Sequence, residues 1–166
     1  MKKIALVTGG GGFIGSHMVD LLVKKEFHVR IVDNFTGGHK KNLNHHNSLE
    51  IFEEDINTLK KSSYIFKDVE SVYHFAGIGD IVPSIELPID YMETNVNGTV
   101  KVLECCRHNN VKNFIYAASS SCFGLANTPT SEDHQIQPQY PYALSKYLGE
   151  LTSLHWKKIY NLNVKS

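Results

Sequence analysis

Tyr142 and Lys146 stand at i and i+4 in a helix-period stretch, so both side chains leave one helical face. A free tyrosine ionises near pH ~10, too high for a base at neutral pH, and an adjacent ammonium makes the phenolate accessible. Such a pair suits removal of a proton from a substrate hydroxyl. Ser119, Ser120 and Ser121 follow an apolar run upstream, where a hydroxyl can bond the same substrate oxygen and stabilise charge on it. Ser119 is the first choice for that role because it lies nearest the end of the run, and Ser121 is the second. The alternative is a serine-rich loop that caps the strand. A serine-hydrolase reading has no support, since no Gly-x-Ser-x-Gly elbow is present.

A second centre of chemistry lies at the other end of the chain. Gly9, Gly12 and Gly15 follow an apolar run, at the point where a strand would turn sharply into a helix. One glycine permits the turn, one lets backbone approach a pyrophosphate, and one lets helix and strand pack closely. The anion then sits on the helix N-terminus, facing free N–H groups. Four consecutive glycines allow several registers, and a merely flexible turn is the alternative. Asp33 ends the next strand, where a carboxylate accepts hydrogen bonds from adenosine ribose hydroxyls and repels a 2′-phosphate, so NAD is favoured over NADP. Its alternative role is to cap the loop, and Arg30 within the strand is a counter-signal on NADP. Asp55-Ile56 offers a carboxylate to the adenine amine and an apolar cover to the ring; Asp55 is equally suited to N-cap the following helix.

These residues need a scaffold that converges them. Ile4–Thr8, His28–Asp33 and Leu49–Glu53 read as buried strands, as do 71–75 and 113–118. Helical periodicity marks 13–25, about 57–66, 91–109 (Val96, Val100, Leu103 and Cys106 on its apolar face) and 142–160. Residues 35–48 read as a loop with one helical turn, and 161–166 as the approach to a further strand. Repeated β-α-β units imply an α/β fold: a doubly wound parallel sheet with right-handed crossovers and helices on both faces. Ligands in such sheets bind beyond the carboxyl ends of the strands. Most of the residues named above fall there, and Tyr142 and Lys146 reach the site from the last helix.

Bulk properties narrow the partners. The 166 residues make one domain with an ordinary soluble composition, 42% hydrophobic and 20% charged. Lys plus Arg equals Asp plus Glu at 17 each, which gives no basic field for nucleic acid and no polybasic membrane patch. The basic, apolar start resembles a signal peptide, but its apolar stretch is cut by the glycines, so a strand and a cytoplasmic setting are expected. Cys105, Cys106 and Cys122 then read as free structural thiols. The nine histidines, His45-His46 included, show no metal spacing and read as solvated or filler positions.

Taken together, the motifs resemble the extended short-chain dehydrogenase/reductases, particularly nucleotide-sugar epimerases similar to UDP-glucose 4-epimerase. The matching pieces run in order: Thr8 through Gly15, Asp33-Asn34, Asp55-Ile56, His74-Phe-Ala-Gly77, Asn95-Val-Asn-Gly-Thr99, and Ser119 through Phe123-Gly124 to Tyr142-x-x-x-Lys146. The resemblance implies a Rossmann-like domain holding NAD through Gly9, Gly12, Phe13, Ile14, Gly15, Asp33, Asn34, Asp55, Ile56, Phe75, Ala76, Gly77, Asn95, Tyr142 and Lys146. It implies a UDP-sugar substrate whose 4-hydroxyl proton Tyr142 removes, with hydride leaving C4 and returning to the other face of a 4-keto sugar. It also suggests a homodimer packed through 91–109 and 142–160. The 4,6-dehydratase relatives carry an Asp-Glu pair where Ser120-Ser121 stand here, which argues against dehydration. The stretch Ile78 to Ser84 lacks a lysine that some epimerases have. Family members are longer, so 1–166 is expected to be the NAD-binding part, cut before a last strand and a C-terminal substrate domain. A dehydratase, a 4-keto reductase and a non-catalytic NAD-binding domain are the alternatives.

Overall fold

The computed structural model describes residues 3–44 and 47–166. His45 and His46, expected as solvated loop positions, lie outside the described residues, as do Met1 and Lys2. Six strands form one parallel sheet: β1 (Ile4–Thr8), β2 (His28–Asp33), β3 (Leu49–Glu53), β4 (Val69–His74), β5 (Asn113–Tyr116) and β6 (Asn163–Lys165). Their order is β3-β2-β1-β4-β5-β6, the doubly wound arrangement in which the winding reverses between β1 and β4. The helices are α1 (Phe13–Lys24), α2 (Val82–Glu86), α3 (Pro88–Met92), α4 (Thr99–His108) and α5 (Pro141–Tyr160). No helix among the described residues is long and apolar enough to cross a membrane.

Alternation along the strands feeds two cores. Ala5, Val7, Val29 and Ile31 pack with Val19 and Leu22 of α1. Leu6, Val32, Val72 and Phe114 face the opposite side and pack with Val102, Leu103 and Cys106 of α4. Both faces of the central strands are therefore apolar, which is why they read as continuous runs. Each fully buried side chain of this kind contributes roughly 1.5–3 kcal/mol.

The structure departs from the sequence pattern in three places. Residues 57–66 form two short 3₁₀ turns, Ile56–Thr58 and Tyr64–Phe66, instead of one helix. Arg30, only 4% exposed, packs under the second turn. Its guanidinium donates to the carbonyls of Tyr64 (3.2 Å), Ile65 (3.0 Å) and Lys67 (2.7 Å) and to Glu50 (2.9 Å), which pins the end of the segment, while the backbone turns extended at Leu59 and at Ser63, whose side chain caps the second turn. The pattern over 91–109 is broken by a π-turn, Glu93–Gly98, between α3 and α4. The buried face consequently runs through Asn95, Gly98, Thr99, Val102, Leu103 and Cys106, while Val96 and Val100 are only half-buried. Finally, 161–166 does not merely approach a strand: β6 pairs in parallel with β5 and buries Val164. The three cysteines are buried free thiols, and burial pushes Cys105 up to about 11.

Candidate functional site

The glycine turn resolves into the register Gly9, Gly12, Gly15. Gly9 has φ +70°, and a Cβ there would lie 2.6 Å from the Ala76 nitrogen. A Cβ on Gly15 would run into the Gly9 carbonyl, so only glycine lets α1 start this close to β1. Gly12 is the N-cap of α1 and supplies no side-chain cap, leaving the first-turn amides open to an anion. Gly11 is held at both ends: its N–H donates to Asp33 Oδ2 (2.8 Å), and its carbonyl accepts from the His39 N–H (2.9 Å) and Asn42 Nδ2 (2.8 Å). The turn is thus fixed by the loop after β2, which the sequence marks only as polar.

Two joined cavities run along the carboxyl ends of β1, β2 and β4. The larger, about 590 Å³, is lined by Asp33, Asn34, Asp55, Ile56 and Ala76 among others. The smaller, about 360 Å³, is lined by Phe13, Ile14, Gly15, Tyr142 and Lys146, with Ala117 and Ala118 from the end of β5. Gly9, Gly12, Phe75 and Gly77 border both. One continuous trough therefore brings together all but three of the residues singled out from the sequence. Asn95, Ser119 and Ser121 do not line it.

At the larger end Asp33 is nearly buried, and its second oxygen accepts from the Phe35 N–H (2.7 Å). It both caps the loop and faces the cavity. Asp55 likewise does two jobs: Oδ1 caps the turn through the Asn57 N–H (2.8 Å), and Oδ2 accepts from Asn34 Nδ2 (2.9 Å) at the rim. Glu54, Asp90 and Glu93 add carboxylates to this wall, and Gly37-Gly38 complete it. The Gly37-Gly38 pair was the available sequence signal for the last contribution. Arg30, turned inward to carbonyls, adds no positive charge to the cavity wall.

Between the two cavities a buried polar chain ties the elements together. Thr99 Oγ1 donates to the Asn95 carbonyl (2.7 Å), so it accepts from His74 Nε2–H (2.9 Å). His74 Nδ1 is then bare and accepts from Thr8 Oγ1 (2.7 Å), whose oxygen also accepts the Ala76 N–H (3.3 Å). This fixes a neutral imidazole. Burial, aided by the Lys146 charge, lowers His74 to about 3. The Asn95 amide exchanges two bonds with Ile78 (2.8 and 3.0 Å) and donates to Ser145 Oγ (2.9 Å). Asn95 therefore supports the Gly77–Gly79 wall and the start of α5 from behind. Gly149 permits this close packing, since a Cβ there would run into the Tyr116 hydroxyl and lie 2.9 Å from the Asn95 carbonyl.

At the smaller end the Tyr91 ring meets Tyr142 edge-on at 6.3 Å, and its hydroxyl donates to the Gly79 carbonyl (2.6 Å). Burial lowers Lys146 to about 8, with Glu150 opposing the shift. Its ammonium lies 4.4 Å from the Tyr116 ring centroid. Ser119 caps the turn Ser120–Phe123 by accepting from the Ser121 N–H (3.2 Å), which leaves the Ser119 hydroxyl proton free to donate elsewhere.

An uncapped helix start, a glycine that opens the wall, a cavity-facing carboxylate and one trough joining them fit a dinucleotide. The family model described as GDP-mannose 4,6 dehydratase matches residues 6–166. The chain belongs to that family. Within it, a Methanocaldococcus jannaschii protein ascribed UDP-glucose 4-epimerase activity is 41% identical over 159 residues, 94% of this chain and 50% of its own length. The UDP-N-acetylglucosamine 4-epimerase of Methanobrevibacter ruminantium, solved with UDP-N-acetylmuramic acid, superposes with TM-score 0.92 at 36% identity, covering 99% of this chain and 54% of that one. The UDP-glucose 4-epimerase of Brucella ovis, solved with NAD, gives TM-score 0.89 at 29% identity over 98% and 50% of the two chains. This chain spans about half the length of the curated relatives it matches. The family's Rossmann-like sheet is the fold expected from the sequence.

Proposed function

We propose that this chain is the NAD-binding and proton-transfer part of a cytoplasmic nucleotide-sugar 4-epimerase acting on a UDP-hexose or UDP-N-acetylhexosamine. The observation that carries the reading is that Tyr142 and Lys146 line the same cavity as the glycine-turn residues Phe13, Ile14 and Gly15. Gly9, Gly12 and the first-turn amides of α1 hold the pyrophosphate, Asp33 the adenosine ribose, and Asp55 with Ile56 the adenine. Bound NAD supplies reversible hydride acceptance at the sugar carbon.

The chain's own residues handle the proton. Tyr142 Oη takes it from the sugar 4-hydroxyl and returns it after the keto sugar has turned over. The Lys146 ammonium favours the phenolate and binds the nicotinamide ribose, and Ser119, with Ser121 second, bonds the reacting oxygen. The acidic wall around Asp33 favours NAD over NADP, because a 2′-phosphate would face several carboxylates.

Incubation of the longer protein containing this chain with UDP-sugars, followed by product analysis, tests the reading. Interconversion at C4 without water loss or net redox supports it. A 4-keto-6-deoxy product would instead favour the dehydration in the family description, a reading opposed by Ser120-Ser121. Tyr142→Phe should abolish sugar-dependent reduction of NAD with cofactor retained; undiminished reduction would refute the base assignment. The exposed Leu144, Leu151 and Leu154 on α5 support homodimerisation, checked by light scattering.

A further inference from the structure

Lys146 is largely buried, yet among the described residues its ammonium has no carboxylate partner and no hydrogen bond. An unpaired cation in such a place is costly unless something else stabilises the charge. Tyr116, the last residue of β5 and 2% exposed, is built around it. The ring centroid is 4.4 Å from Lys146 Nζ, and the Tyr116 hydroxyl donates to the Lys146 backbone carbonyl at 3.0 Å. One side chain thus holds Lys146 at both ends.

The other groups nearby do not replace it. Glu150 lies one turn further along α5, and Cys122 sits on the turn after β5. Glu150 favours the charged lysine at a distance and without a bond, and Cys122, kept a neutral thiol by burial, offers it no charge. Tyr142 precedes Lys146 on α5. His74 of β4 stacks against Tyr116 at 5.9 Å and is neutral, as its bonds to Thr8 and Thr99 require. A carboxylate beside Lys146 would stabilise the ammonium but cancel its field. A ring face stabilises a cation through its quadrupole and leaves the net charge in place.

We propose that Tyr116 is a positioning residue for Lys146: its ring seats the ammonium in the wall of the smaller cavity, and its hydroxyl fixes the helix turn that carries it. The inference rests on the reading of Tyr142 and Lys146 as the proton-handling pair, because an uncancelled ammonium is what that pair needs. A carboxylate seat would give the same burial with far less effect on a neighbouring phenol.

The test first removes the hydroxyl and then, within the phenylalanine series, changes the electron density of the ring at nearly constant shape. Tyr116→Phe, then 3,5-difluoro- and 3,4,5-trifluorophenylalanine at the same position, are compared by NMR titration of the Lys146 amine in the chain without nucleotide. Lys146→Arg assigns the resonance. Phenylalanine should leave the titration in place, and the trifluoro ring should lower it by roughly half to one unit, with the difluoro ring between. A titration that is the same across the series would overturn the assignment. So would a drop already complete in Tyr116→Phe, since the hydroxyl would then be the operative group. The titration needs neither NAD nor sugar. A sloped series in a protein that epimerises nothing would sink the proposed function and leave this inference standing.

Discussion

Acidification should destabilise this domain through His74 before its carboxylates protonate fully. His74 is fully enclosed, both ring nitrogens are committed, and its pKa falls from 6.5 to about 3. Protonation would place a second N–H against Thr8 Oγ1, which already accepts from the Ala76 N–H. Below pH 6.5 the unfolded chain binds a proton at this histidine that the folded chain does not. Stability is therefore fully present above 6.5 and falls by about 1.4 kcal/mol per pH unit as pH drops toward 3. At pH 5 the loss is about 2 kcal/mol, enough to move a urea midpoint by roughly one molar. Urea unfolding of the wild type and of His74→Gln, run from pH 8 to pH 5, isolates the term, because all other groups titrate in both. The variant should begin less stable, and the two curves should converge on acidification. Parallel curves would refute the buried neutral imidazole.

Two further outcomes follow from single contacts. Asp33→Ala removes the acceptor for the Gly11 and Phe35 N–H groups and should cost roughly 1–3 kcal/mol while narrowing any preference for NAD over NADP. Calorimetric titration with both nucleotides, beside a thermal melt, reads both effects, and an unchanged ratio would remove Asp33 from cofactor selection. Gly149→Ala should lower Tm even though helix propensity alone would favour alanine by about 1 kcal/mol. The added methyl would run into the buried Tyr116 hydroxyl and lie 2.9 Å from the Asn95 carbonyl, an overpacking worth about 1–3 kcal/mol. A raised Tm would show that α5 presses on neither Tyr116 nor the π-turn.

How much of this was legible in the sequence depended on whether the cause was local. The strands were, because Ile4–Thr8, His28–Asp33 and Leu49–Glu53 are buried on both faces or bounded by turn residues, and each was placed to the residue. The glycine turn and the Tyr142/Lys146 pair were also local patterns, and the trough unites them. The helix expected over 57–66 failed because the backbone turns extended at Leu59 and Ser63, and Ser63 starts a new turn by capping the Ile65 N–H, a choice that a helical period does not display. The apolar face over 91–109 slipped because Asn95 is drawn toward Ile78 and Ser145, and neither partner is visible in a helical period. Asp55 caps a turn, as one of its readings had it, and also lines the cavity where the other would act. Ser145 and Tyr116 escaped notice because a buried hydroxyl has no sequence signature until its partner is in place.

The sheet order also bears on how the chain reaches this state. β1 is made first yet lies near the middle, pairing with β2 on one side and β4 on the other, so Thr8 must find both Val32 and His74. As the chain leaves the ribosome, β1 through β3 can form one half-sheet while the other flank of β1 stays open until β4 emerges. Non-local parallel pairing of this kind makes folding slow and leaves an apolar strand edge exposed in the interval. Slowing synthesis between residues 53 and 69 should therefore raise the aggregated fraction, whereas slowing it after residue 116 should not.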